Sequence, residues 1–163
     1  MTRKASGRRV KPVAVNNMQM ALASATKFTA TELRQLLLPP QDALESMRKG
    51  AATEIQWMHL ASVSAIALSV EHLGVVRHLK AQLDEADNVL AVIRQRAMKT
   101  GAWVPPILYG HEITAIQDLV RLHKFQAESL SAGEYRAAWQ HAAAEVTRVG
   151  GRHISVTEQA AAC

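Results

Sequence analysis

Between Thr53 and Lys99 apolar or small side chains return every three or four residues: Ile55, Met58, Ser62, Ile66, Ser69, Leu73, Val76, Leu79, Leu83, Ala86, Leu90, Ile93 and Ala97. That spacing keeps one face of a helix apolar. The stripe holds its phase through Gly74 and no polar cap follows, so the pattern predicts one helix bent at that glycine. A stop at Gly74, with Val70 and Val75 placed for a Schellman contact, is the alternative. The same repeat returns over about 106–130, at Tyr109, Ile113, Ile116, Val120, His123, Ala127 and Leu130. It appears again to about Arg148, at Tyr135, Trp139, Ala142 and Val146.

Local signals punctuate these runs. Thr29 with Glu32, and Ser131 with Glu134, have the spacing of a capping box, in which side chains satisfy two amides at a helix start. Pro39-Pro40 predicts the end of a short helix begun at Thr29, and Arg48-Lys49-Gly50 the end of a second short one begun at Pro40. Gly101 and Pro105-Pro106 mark a loop, and Gly150-Gly151 a final stop.

About 46 residues of uninterrupted helix would extend about 69 Å. A compact chain of 163 residues has a radius of gyration of only about 15 Å. The expected fold is therefore all-α: an elongated antiparallel helical hairpin or bundle, with the two short helices at one end. The domains expected are a basic flexible arm over 1–28, one helical domain over 29–149 and a loose tail over 150–163. Such a thin body leaves apolar faces uncovered, which predicts a homodimer joined along the long helices.

Composition narrows the class. Apolar residues make up 48% of the chain but aromatics only 4%, the mix of packed helices rather than of a sandwich or barrel. The lone cysteine, Cys163, allows neither an internal disulfide nor a cysteine metal site, and a reducing, cytoplasmic setting fits. Residues 13–25 follow a basic run, but Asn16, Asn17 and Gln19 interrupt their apolar stretch, so they do not read as an export signal. The longest charge-free run, between Glu54 and Glu71, holds Gln56, His59 and three serines and is too short to span a membrane.

Charge is distributed unevenly. Arg3, Lys4, Arg8, Arg9, Lys11 and Lys27 precede the first acidic residue, Glu32; the rest of the chain carries 13 basic and 14 acidic side chains. The five cations among residues 2–11 come with no aromatic, a pattern suited to phosphates rather than bases. The predicted partner is thus a nucleic acid backbone or another acidic surface, with Arg3, Lys4, Arg8, Arg9 and Lys11 as clamps. A helix-turn-helix over 30–70 would need a recognition helix with Arg, Lys, Asn or Gln outward, and Leu60–Leu68 is almost wholly apolar or small.

Other candidate chemistry is sparse. The seven histidines form neither His-x-x-x-His nor Glu-x-x-His pairs, so no metal and no cofactor is expected, and His123, on an apolar stripe, reads as a core residue. Tyr109-Gly110-His111-Glu112 is the densest polar cluster. It reads as a helix start with Glu112 against the dipole, the alternative being an acid/base pair in a small enzyme. Ser62, Ser64 and Ser69 read as a close helix contact rather than a nucleophile groove. Trp103 reads as a loop anchor and, with Tyr109 nearby, marks the face a protein partner would use.

Arg8-Arg9-Val10-Lys11-Pro12-Val13-Ala14-Val15-Asn16, Gly74-Val75-Val76-Arg77 and Gly133-Glu134-Tyr135-Arg136 resemble stretches of small uncharacterised helical proteins of Proteobacteria. The resemblance implies a bacterial or prophage-borne accessory protein and assigns no role to any residue. The sequence thus predicts a non-enzymatic binding protein. An adaptor or inhibitor acting on a host protein is the second reading.

Overall fold

The computed structural model describes residues 21–149 apart from residue 23. The tail over 150–163 and the five predicted clamps lie outside those residues. Five named helices follow: α1 (Ala30–Arg48), α2 (Glu54–His72), α3 (Lys80–Ala97), α4 (Gly110–Ser129) and α5 (Ala132–Arg148). The class is all-α as expected, but the helices form a bundle of similar lengths rather than a long hairpin.

The first correction lies at the prolines. Pro39 and Pro40 stand inside α1, which continues unbroken to Arg48. Each removes one intrahelical donor, normally enough to end a helix. Here α1 buries Leu37, Pro40, Ala43 and Met47 along one face. Packing of that face against α2 holds the helix through the missing bonds.

The second correction lies between Leu73 and Leu79, where the predicted long helix breaks into α2 and α3. Gly74 takes a left-handed φ of 74° and His78 one of 72°. The missing polar cap comes from the preceding helix. The Glu71 carboxylate accepts from the His78 N–H at 2.9 Å and the Leu79 N–H at 3.4 Å. Arg77 closes the turn by donating from Nε to the Gly74 carbonyl at 3.3 Å. The uncovered faces of a rod were the reason to expect a homodimer, and that reason goes with the rod.

Helix α2 is the shared wall of the bundle and packs against all four other helices. One hydrophobic cluster joins Met47, Leu60, Val63, Leu83, Leu90, Ile93, Ile116 and Leu119. A second joins Leu37, Ile66, Val70, Leu130, Tyr135 and Ala142. In α3 the buried residues Leu83, Ala86, Leu90, Ile93 and Ala97 match the predicted stripe. In α2 the buried set is Leu60, Val63, Ser64, Ile66, Ala67, Ser69 and Val70, while Ile55 and Leu73 are exposed.

Both predicted capping boxes form, and Thr53 with Gln56 adds a third. The chain before α1 is tied to α5. Ala132 donates its N–H to the Thr26 carbonyl at 2.8 Å, and the Phe28 ring meets Tyr135 edge-on at 5.3 Å. Gly133 permits this approach, since a Cβ there would lie 2.6 Å from the Ser24 carbonyl oxygen.

Candidate functional site

The loop between α3 and α4 brings together most of the chemistry flagged in the sequence. Trp103 is its anchor: the indole N–H donates to the Ala52 carbonyl at 2.8 Å, and the ring leans on Trp57 at 6.3 Å. Trp57 is itself tied to α3 through the Leu90 carbonyl at 3.0 Å, with the Arg94 guanidinium over its ring. A half-buried tryptophan so engaged serves packing more than recognition.

Tyr109 is different. It is 60% exposed and its neighbour Ile107 84% exposed, with Val104 also open to solvent. The Tyr109 ring lies parallel to His111, with centroids 6.0 Å apart, and the Arg96 guanidinium lies over it at 4.9 Å. With Pro105 and Pro106, the residues Arg96, Val104, Ile107 and Tyr109 line a shallow groove of about 440 Å³. The predicted pair Trp103 and Tyr109 thus divides into a half-buried anchor and an exposed face.

Glu112 fixes this arrangement. Only 2% exposed, it receives Arg96 Nη1 at 2.9 Å and Nη2 at 2.8 Å on its two oxygens, and the Tyr109 N–H at 2.8 Å. Burial works to raise its carboxyl, but the Arg96 guanidinium and the Tyr109 amide outweigh it and hold the group below the usual range. Arg96 also donates to the Ile107 carbonyl at 3.2 Å. An ionised carboxylate with both oxygens engaged is a poor proton shuttle. Glu112 instead positions its surroundings, locking the loop to α3 and capping the Tyr109 amide at the start of α4.

On the other side of His111, α3 and α4 enclose a groove of about 410 Å³ lined by Ala81, Asp84, Glu85, Asn88, Val92 and His111, among others. Asp84 pairs with Lys80 at 2.7 Å, whereas Glu85 forms no ion pair among the described residues. Val92, half exposed, adds apolar surface to the groove.

Ser64, Ser69, His72, His123 and His141 tie helices together. Ser64 Oγ donates to Asp87 Oδ1 at 3.0 Å, joining α2 to α3. Ser69 Oγ lies 3.1 Å from His141 Nδ1, joining α2 to α5, and His141 stacks on His72 at 5.0 Å. Ser64 and Ser69 thus make the close helix approach expected of the serine stripe, whereas Ser62 is exposed. His123 is 1% exposed, with Nε2 at 3.5 Å from the Tyr135 hydroxyl. Burial pushes its imidazole down to about 4, so it is neutral, and drives the Tyr135 phenol upward. Among the described residues no group of three metal-ligating side chains converges. Sequence reasoning missed Gln126, fully buried, whose amide donates to the Ala67 carbonyl at 3.2 Å. It also missed Arg96 as the partner of Glu112; one basic residue beside Arg94 and Lys99 near a helix end carried no visible sign of that pairing.

Among the described residues no helix is long and apolar enough to cross a membrane. Comparison with protein families, curated proteins and solved structures finds no match for the chain.

Proposed function

We propose that this chain is a helical binding protein that contacts the phosphate backbone of nucleic acid through Arg3, Lys4, Arg8, Arg9 and Lys11, without reading base sequence. One observation carries the reading: those five cations are gathered in ten residues, and no acidic side chain precedes Glu32. Seven cations of the helical body are compensated at short range. Arg48, Lys49, Lys80, Arg96, Arg121, Lys124 and Arg148 each have a carboxylate within 4.0 Å. The segment a helix-turn-helix would place in the major groove holds Leu60, Val63, Ile66 and Ala67, all buried in the bundle. Base readout through it is therefore disfavoured. The test is retention of the full chain and of a variant lacking residues 2–11 on random-sequence DNA and RNA. Binding that disappears with the deletion supports the reading; binding unchanged by it refutes the role of these residues.

A second reading is favoured by the exposed Ile107, Tyr109 and Val104 on a loop held at both ends. Under it the chain is an accessory protein of bacterial or mobile-element origin that docks on a host protein through this face. Capture of a partner that resists high salt and deletion of residues 2–11, but is lost on Ile107→Asp, would favour it over the first.

A further inference from the structure

We propose that the basic N-terminal segment, residues 3–15, docks in cis on the groove between α3 and the start of α4, so that the body holds its own phosphate-contacting arm until nucleic acid displaces it. The consequence for nucleic acid rests on the function proposed above; the docking does not.

The groove and the segment match in two respects. The groove is lined by the apolar Ala81, Val89 and Val92 and by the polar Asp84, Glu85 and Asn88. In Arg8-Arg9-Val10-Lys11-Pro12-Val13-Ala14-Val15 three cations alternate with, or precede, short apolar side chains. The segment can therefore lay valines on the apolar lining while its cations meet the carboxylates. Glu85 has no ion pair among the described residues, so it can meet a cation without giving up a partner there.

Neighbouring grooves match less well. The one beside Tyr109 is lined by Arg96, Val104, Pro105, Pro106 and Ile107 and offers no carboxylate. The one between α2 and α5 presents two imidazoles; its Glu145 is already bound by Arg148 at 2.8 Å, and its Asp87 accepts from the Ser64 hydroxyl at 3.0 Å.

The segment is long enough to cross most of the body. Ten peptide steps separate Lys11 from Ala21, where the described chain begins, and ten extended residues span about 33 Å. That is comparable with the width of a body whose radius of gyration is about 15 Å.

Zero-length carbodiimide cross-linking of the full chain at low salt, read by mass spectrometry, tests the docking. The Lys80–Asp84 pair, 2.7 Å apart, is the internal control. The expected result is an amide link from Lys4 or Lys11 to Glu85 or Asp84 within the monomer, lost near 0.5 M salt, where screening acts within about 4 Å. The variant Asp84→Asn/Glu85→Gln should lack that link and, if the segment also binds nucleic acid, should bind random-sequence DNA about fivefold more tightly at low salt. A monomer without the link, or a link found only between copies and rising with concentration, overturns the docking. The link without nucleic acid binding leaves the docking standing and removes the proposed function. Nucleic acid binding with neither link nor gain in the variant does the reverse.

Discussion

Replacing Glu112 with glutamine changes one atom of a buried carboxylate and tests how the loop is held. The carboxylate receives three N–H bonds, at 2.8–2.9 Å, from Arg96 and the Tyr109 amide. Hydrogen bonds to a charged group contribute about 1.5–3 kcal/mol each by mutation. The glutamine oxygen keeps one or two of these, but its amide nitrogen then faces a guanidinium that can only donate. Arg96 is 30% exposed, so water recovers part of the loss. The expected cost of Glu112→Gln is about 2 kcal/mol, or about 7 °C in Tm for a chain of this length. Urea titrations of the wild type, Glu112→Gln, Arg96→Gln and the double variant should give a coupling of about 1–2 kcal/mol. The pH dependence fixes the sign. Because the folded-state carboxyl lies below its ordinary value, its contribution is complete above about pH 4.5 and fades as pH falls through the folded value. The gap between wild type and Glu112→Gln should therefore close in acid. A gap below about 0.5 kcal/mol at pH 7, under the range for such bonds, or one unchanged at pH 3, would refute the reasoning.

Two further predictions test the interior and the turn. His123 is neutral in the fold, its imidazole pushed down to about 4, so stability is complete above about pH 6.5 and falls by up to about 3 kcal/mol towards pH 4; His123→Leu should flatten that slope in urea titrations, and an unchanged slope would assign acid sensitivity elsewhere. Glu71→Ala removes the cap over the His78 and Leu79 amides at a cost of about 1–2 kcal/mol, and those two amides should exchange about tenfold faster or more while exchange in α5 changes little.

Local patterns carried part of this architecture in the sequence. The boxes at Thr29 and Ser131 form as read because their partners lie three residues away. The α3 stripe holds because that helix is buried on one face. Helix α2 packs against four neighbours, so its buried residues do not follow a single stripe. The stop at Gly74 ranked only as the alternative because the cap after it is Glu71, seven residues before the amide it receives rather than beside it. Pro39-Pro40 misled because a propensity rule knows nothing of the α1–α2 contact that overrides it. At the loop, Trp103 was legible as an anchor and Glu112 as a helix-start residue. The Arg96–Glu112 clamp joins residues 16 apart, a separation no local repeat encodes.

The salt dependence of binding to random-sequence duplex DNA tests the central functional claim most directly. Five phosphate contacts predict a log–log slope near −4.5, about a 500-fold loss of affinity between 50 and 200 mM salt, and deletion of residues 2–11 should bring the slope close to zero. An undiminished slope after that deletion would contradict the account.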